Sequence, residues 1–336
     1  MTLVPNACYG LAIVQPDTWI VVVNWNGARL LPGCLGSLSR LTRPAHVVVV
    51  DNGSDDDSAA VVAGVPGVEW LPLGRNLGFA AANNVAMRRA LAAGATWVGI
   101  VNTDVQVEPG WLDALVATGE AHPEAGIFGG LLLFTDDPGR VNSTGVVLDR
   151  FGRAKDRDFG VPLAKLTTRD GPVTAMTGGA ALFRADALRN VGLFDPAYFA
   201  YYEDVDLSLR AAALGIRSWY VSAARALHGY GKSFGNGTPR QRYLLARNHM
   251  RAMATHLPLA RALAVGSAFT ISRATLKAPL ELLRGRPAHA LAHLRGAGAG
   301  ALAAVEVLAR RLRRDGAVPR GAEAAATESP LPVRRT

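Results

Sequence analysis

The sequence predicts an α/β fold, a mostly parallel central sheet with helices on both of its faces. Three observations predict it. The runs Trp19 to Val23, His46 to Val50 and Trp97 to Val101 are apolar throughout and do not alternate, as strands covered on both sides must be. Stretches of helical period separate them, the first carrying Leu30, Leu31, Leu35 and Leu38 on one face. Each run also ends in Asn or Asp, at Asn24, Asp51 and Asn102 to Asp104, and in such sheets ligands bind beyond those ends.

Taken in order, residues 1–17 have no period and read as an irregular lead-in. The first strand closes at Asn26-Gly27 and the second at Asp51-Asn52-Gly53-Ser54, where Ser54 or Asp55 can cap a helix through Ala59 to Val62. Val68 to Leu71 is a short third strand, Asn76 to Ala93 a loop and helix, and Glu108-Pro109-Gly110-Trp111 opens another helix. Residues 127–175 read as a β-rich excursion with turns such as Asp137-Pro138-Gly139. Ala175 to Arg184 is a strand with the pair Gly178-Gly179 near its start. A helix from Glu203 has Leu207, Leu209, Ala211 and Leu214 as its apolar side and Gly215 as its C-cap. Ser218 to Val221 is a strand leading to a glycine-bearing loop that holds His228.

A chain of 336 residues that is 49% hydrophobic, with 36 Gly and 19 Pro, is globular and fits one large domain with an appendage, or two domains. Two cysteines, Cys8 and Cys34, exclude a disulfide framework and stand in no metal-ligand spacing, which fits a reducing compartment. No basic segment followed by an apolar run opens the chain, so no signal peptide is expected. No stretch reaches about 18 uninterrupted apolar residues, so no spanning helix is expected. The net charge of +9 is uneven: residues 1–216 hold 16 Lys+Arg against 22 Asp+Glu, and residues 217–336 hold 20 against 5. The basic half points to nucleic acid or to an anionic membrane.

The most informative stretch runs from Leu193 to Arg210, where Asp195, Glu203, Asp204 and Asp206 fall among aromatics. Acidic residues in a first helical turn also answer the macrodipole. The aromatics favour a dry wall, at which a carboxylate of tuned pKa can take a proton from a hydroxyl. No Gly-x-Gly-x-x-Gly follows the first strand and no phosphate-binding Gly-x-x-x-x-Gly-Lys motif occurs, which disfavours a dinucleotide fold and a P-loop. Leu73 to Asn84 instead gives a glycine-containing entry into a small-residue helix. It suits an approaching diphosphate and equally a tight helix–sheet contact. Asp104, at a buried strand end, can hold magnesium or manganese jointly with phosphates.

In their order and spacing, Val21-Val22-Val23-Asn24-Trp25-Asn26-Gly27, Val50-Asp51-Asn52-Gly53-Ser54, Asn76-Leu77-Gly78-Phe79 with Asn83, Asn102-Thr103-Asp104, Gly178-Gly179-Ala180, Tyr202-Glu203-Asp204-Val205-Asp206-Leu207 and His228 resemble the family 2 glycosyltransferases of the GT-A fold. The likeness is to the bacterial rhamnosyltransferase-like branch and covers about residues 18–256. It implies a catalytic domain over 18–242, with a nucleotide-sugar half (18–110) and an acceptor and catalytic half (111–242). It also implies roles. Asp51 contacts the nucleobase, with Val23, Asn24 and Asn52 beside it. Asn76, Gly78 and Asn83 lie along the nucleotide and sugar, and Asn102, Thr103 and Asp104 near the diphosphate. Asp104 and His228 hold Mg2+ or Mn2+. Asp204 is the base, supported by Glu203 and Asp206, and Gly178, Gly179, Tyr202 and Glu203 meet the acceptor. Asn102 departs from the family's paired aspartates and brings no charge.

The implied activity is an inverting transfer of a sugar, rhamnose first and galactofuranose next, from a dTDP- or UDP-linked donor. The acceptor is a hydroxyl of a cell-surface polysaccharide or a lipid-linked glycan. A nucleotidyltransferase would want a glycine-rich loop with Arg and Lys after the first strand, which Asn24-Trp25-Asn26-Gly27 lacks. A scaffold that binds a nucleotide sugar without turnover is the non-catalytic alternative.

Residues 243–312 form a basic amphipathic helical region in which Arg247, Arg251, Arg261, Arg273 and Lys277 alternate with apolar stretches. Such helices lie on anionic lipid, which places the protein in the cytoplasm, peripheral on the inner face of the plasma membrane. A plain helical appendage or a homodimer contact is the other reading. Aromatic stacking residues are nearly absent past Tyr243, which argues against nucleic acid. Residues 313–336 read as a disordered tail.

Overall fold

The protein, described by a computed structural model, is defined over residues 17–231 and 237–317. The expectations for the lead-in, for Cys8 and for the chain beyond 317 lie outside the described residues. Strands β1 (Thr18–Asn24), β2 (His46–Asp51), β3 (Val68–Pro72) and β4 (Trp97–Val101) lie parallel in the order β3-β2-β1-β4. Their two faces feed two separate cores. Ile20, Val22, Val47 and Val49 pack with Leu31, Leu35 and Val62 from α1 (Leu31–Leu38) and α2 (Ser58–Ala63). Val21, Val48, Val50 and Ile100 pack with Ala82, Ala86 and Met87 from α3 (Phe79–Ala92). Both faces of the apolar runs in β1, β2 and β4 are therefore covered by apolar side chains, which is why the runs do not alternate.

The second half contains β5 (Val105–Val107), α4 (Trp111–Ala121), β6 (Ala125–Phe134), β7 (Val141–Ser143), β8 (Val146–Leu148), β9 (Ala154–Asp156), β10 (Gly171–Val173), β11 (Ala180–Arg184), α5 (Ala185–Val191), α6 (Glu203–Ala213) and β12 (Arg217–His228). Here the sheet is mixed. Helix α4 carries the chain over to β6, leaving a gap beside β4, and β11 fills it antiparallel to both neighbours. β11 arrives from the β7–β10 excursion and not over a crossover helix, so it enters from the opposite end.

Two local expectations are corrected. Neither Ser54 nor Asp55 caps α2: Asp57 stands at that position without a side-chain bond, and Asp56 accepts from the Ser58 and Ala28 amides. The last predicted strand is also far longer. A register break between Val221 and Arg225 carries β12 on along β5 and the end of β6, so His228 sits on a strand end and not in a loop.

Beyond it come α7 (Pro239–His256), α8 (Leu259–Ser272), a π-helical turn (Arg273–Lys277), α9 (Ala278–Leu283) and α10 (Pro287–Ala317). Helix α10 passes the expected boundary at 312. It packs along α7 through Gly296 and Gly300, where an added Cβ would stand 2.7 Å from the Tyr243 carbonyl oxygen and 3.1 Å from Arg247 Cα. No spanning helix was expected, but Pro287–Arg313 is long and apolar enough by length and composition to cross a membrane, and 33% of its most apolar window is buried in the protein.

Candidate active site

A cleft of about 470 Å3 opens beyond the carboxyl ends of β1, β2 and β4. At one end its wall includes Val23, Asn52, Asn76, Asn102 and Thr103, joined by Trp25 and Phe79, which the sequence had not singled out. The entry into α3 is held by side-chain amides. The Asn52 side chain accepts from the Leu77 amide (2.7 Å) and donates to Asn76 (3.2 Å), whose Oδ1 also accepts from the Gly78 amide (2.9 Å). Gly78 has φ +88, and a Cβ there would stand 2.5 Å from Phe199 Cδ2, so only glycine fits.

Three expected residues stand behind this wall. Asn24 donates to Asp51 (3.1 Å) and Ser54 (3.0 Å), and Ser54 Oγ donates to Asp51 (2.5 Å), which locks the β1 and β2 ends together. Asn24 and Asp51 are buried and do not line the cleft. Asn83 is buried as well, with its amide donating to the Phe79 carbonyl (3.0 Å).

At mid-cleft, Gly178, Gly179, Tyr202, Glu203, Asp204 and His228 come together. The Asp204 carboxylate accepts from the Gly178 and Val205 amides, both at 2.7 Å. Burial raises its pKa, and those amides oppose the rise. Glu203 is more deeply buried, and its Oε2 has no hydrogen-bond partner among the described residues. Burial and then the charge of Asp204 push its carboxyl well above the usual carboxylate range. Asp206, expected to support them, is not on the wall. It is tied to Arg210 (2.9 Å), His256 (2.8 Å) and Tyr198 (3.2 Å). Burial would raise its pKa, but the His256 bond and Arg210 hold it low. Two residues beyond Asp204 on α6, it leaves from the other side of the helix, into the protein.

The carboxylates are presented by a strained turn. Phe199, Tyr201 and Tyr202 all have positive φ, at 66°, 69° and 74°, each costing on the order of 1–3 kcal/mol. Helix α7 restrains the turn. Asn248, fully buried, directs its amide nitrogen at the carbonyls of Tyr198 (2.9 Å), Ala200 (2.8 Å) and Tyr201 (2.7 Å). Arg247 donates to Ala197 and Tyr198, Arg251 pairs with Asp195 (2.8 Å), and His256 holds Asp206. Arg247 and Arg251, expected on a lipid-facing helix, are instead turned inward. Nothing in their spacing announced partners about 50 residues upstream.

His228 Nε2 lies 3.7 Å from the buried Asp104 carboxylate. Its Nδ1 is 2.7 Å from Asn142 Oδ1, which fixes a proton there and leaves Nε2 facing Asp104 as a lone pair. Burial lowers the His228 pKa against the pull of Asp104 and keeps the ring neutral. A neutral imidazole beside a carboxylate fits a divalent cation. No cluster of three or more His, Cys, Asp or Glu occurs among the described residues, so such an ion would complete its shell from the ligand. Nearby Cys34 is buried, its pKa pushed up to about 12 by burial and then by Asp104, so it stays a thiol.

The family model described as "Glycosyltransferase like family 2" matches residues 16–255. This chain belongs to that family. The glycosyltransferase is 35% identical over 231 residues to N-acetylglucosaminyl-diphospho-decaprenol L-rhamnosyltransferase of Mycobacterium tuberculosis, covering 62% of this chain and 75% of the relative. It is 30% identical over 214 residues to the galactofuranosyltransferase GlfT1 of Mycolicibacterium smegmatis, with coverages of 62% and 69%. Among solved structures it is similar to GalNAc-T7, crystallised with UDP, GalNAc and Mn2+, at a TM-score of 0.56 and 16% identity. That match covers 72% of this chain and 48%, about half, of the other. The fold is GT-A. The far end of this glycosyltransferase's cleft had no signal in the sequence. It is walled by Arg153 just before β9, by Lys155 and Asp156 from β9, and by His249, Phe269 and Arg273 from the C-terminal helices.

Proposed function

We propose that the protein transfers a sugar, L-rhamnose in the leading reading, from a dTDP- or UDP-linked donor to a hydroxyl of a lipid-linked glycan, with inversion. The observation that carries this is Asp204, placed at mid-cleft by two backbone amides with one end of the cleft on either side. In the reaction the acceptor hydroxyl gives its proton to the Asp204 carboxylate, and its oxygen bonds the anomeric carbon. The bond from that carbon to the diphosphate oxygen breaks, and the electron pair leaves with the nucleoside diphosphate. Two amide donors favour the ionised form of Asp204, whereas Glu203 Oε2 has no such donor among the described residues. Asp104 and His228 would hold Mg2+ or Mn2+, whose charge offsets that of the leaving diphosphate. Asn102, at the same wall, supplies an amide where the family's first aspartate supplies charge.

The relative's name supports a lipid-linked acceptor, and our reading puts the reaction on the inner face of the plasma membrane. The basic C-terminal helices, with exposed Leu263, Ile271, Leu276 and Leu283, suit that surface. A galactofuranosyl donor is the second reading, favoured by the GlfT1 match. The test is thermal protection and hydrolysis with a panel of nucleotide sugars, with and without manganese, beside Asp204→Asn. Protection kept and hydrolysis lost in the variant supports the assignment. If no nucleotide sugar protects the wild type, the transferase reading fails and a non-catalytic scaffold replaces it.

A further inference from the structure

The cleft holds a carboxylate and an exposed aromatic ring that the transfer step does not use. Asp156, half-buried on β9, lines the cleft. Strand β9 is docked against the turn that presents Asp204, because the Ala154 amide donates to the Tyr202 hydroxyl (3.2 Å). Ala154 and Asp156, two residues apart, leave the strand on one side. The cations of this hairpin are matched elsewhere. Arg153 and Lys155 pair with Asp149 at 2.7 and 3.3 Å, and Arg157 lies 3.9 Å from Asp158. Among the described residues no cation pairs with Asp156, and Ser143 alone offers its carboxyl a hydrogen bond. Burial pushes its pKa up to about 6 against that bond, and the charge of Asp204 adds to the rise. Such a carboxyl gains from a further donor.

Tyr230 supplies the second part. It lines the cleft two residues beyond β12, edge-on to His228 at 6.1 Å between ring centres. It is also close enough to feel the charge of Asp156. Phe159 packs against it at 5.1 Å and Phe134 against both, at 5.2 and 5.8 Å. Phe159 and Tyr230 nevertheless stay 48% and 37% exposed. Aromatic rings left exposed where they border a cleft mark a ligand surface. A wall of this kind covers the C–H face of a small ring, and one placed acceptor orients its hydroxyls. Asp156 repels a phosphate and takes a hydroxyl, so the piece of acceptor that fits is a sugar ring.

We propose that Asp156 and Tyr230 form a subsite for the acceptor's terminal sugar, with the ring on Tyr230 and one of its non-reacting hydroxyls donating to Asp156. That bond decides which hydroxyl meets Asp204, so the pair sets the linkage. The assignment rests on the transferase reading.

The test uses methyl glycosides of the common hexopyranoses and N-acetylhexosamines as probes, titrated into the full chain and read by saturation-transfer NMR. Wild type should bind at least one of them, with saturation strongest on ring C–H protons. For that glycoside, Asp156→Asn should weaken binding about 10-fold and Asp156→Ala about 10- to 100-fold, as loss of a hydrogen bond to a charged group does. One monodeoxy analogue should bind wild type as weakly as the parent binds Asp156→Ala. It should lose nothing more in that variant, a pattern that a merely structural role would not produce. Tyr230→Phe should keep binding within about threefold, and Tyr230→Ala should lose about tenfold or more. Should Asp156→Ala unfold, Asp156→Asn carries the comparison. No glycoside bound by wild type, or wild-type binding by Asp156→Asn or Tyr230→Ala, overturns the proposal. Nucleotide-sugar protection is read in parallel. If it falls in Asp156→Asn together with glycoside binding, the donor occupies the site and the proposal fails. If it is absent from the wild type, the transferase reading fails, and glycoside binding lost in the variants still supports a sugar site there.

Discussion

Asn248→Ala is expected to remove catalysis from a position that touches no substrate. The Asn248 amide has two hydrogens shared among three buried carbonyls at 2.7–2.9 Å, so the variant loses about two hydrogen bonds, worth about 1 kcal/mol each net. It also takes that donor from the Ala200 and Tyr201 carbonyls, while Tyr198 keeps Arg247, at about 1–3 kcal/mol more. The restraint lost is thus about 3–5 kcal/mol, comparable to the strain of on the order of 1–3 kcal/mol at each of Phe199, Tyr201 and Tyr202. The turn should relax and carry Asp204 off its amides. We expect kcat to fall about 100-fold with the donor KM within about threefold, because the Asn52–Asn76 entry is untouched. Asn248→Asp keeps the shape but turns acceptors toward three acceptors, and it should be at least as damaging. Steady-state kinetics and a thermal melt settle it. If Asn248→Asp retains wild-type kcat and Tm, the clasp argument is refuted.

Other outcomes follow from the same geometry. Glu203→Gln should keep kcat within about threefold, because the base is the amide-held Asp204 and not Glu203, whereas Asp204→Asn should remove turnover; comparing their donor hydrolysis checks this. Burial raises the Asp204 pKa, so the base is lost to protonation as pH falls through that raised value. The acid limb of kcat should lie above the ordinary carboxylate pKa of about 3.9. Gly78→Ala puts a Cβ against Phe199 at φ +88; destabilisation of about 3 kcal/mol would lower Tm by about 6–12 °C. Asn142→Ala frees the His228 ring, and a manganese titration of donor hydrolysis should show half-activation shifted upward about 10-fold or more. Asp206→Asn should cost about 3 kcal/mol at neutral pH. The folded pKa of Asp206 lies below its unfolded value, so its stabilisation is full above about pH 3.9 and lost as pH falls through the lower folded value. Denaturant melts of wild type and variant should therefore converge in acid.

How much was legible depended on whether the cause was local. Buried strands β1, β2 and β4 announced themselves because both faces are covered, and Gly215 was readable as a cap because its φ of +77 is glycine's territory. The carboxylate stretch was readable as chemistry, but not its division of labour. Asp204 and Asp206 differ only by which side of one helical turn they leave from. The positive φ of three aromatics could not be foreseen, since their type disfavours it and only α7, about 50 residues on, enforces it. On α7, Arg247, Asn248 and Arg251 mimic a solvated basic face because polar side chains that bond carbonyls and those that face water follow the same period. The continuation of β12 was hidden by the break after Val221, which interrupts any strand pattern.

The contact of α10 with α7 through Gly296 and Gly300 bears on how this enzyme can be cut or recombined. A fragment ending near 242 would contain every carboxylate of the cleft and none of the side chains that hold their turn. One ending after α7 would keep the clasp but strip its backing. The last helices are therefore not interchangeable luggage for swapping between transferases. A chimera that trades them for another helical segment should bind donor and fail to turn it over, unless Asn248 and the glycines that seat α10 travel with it.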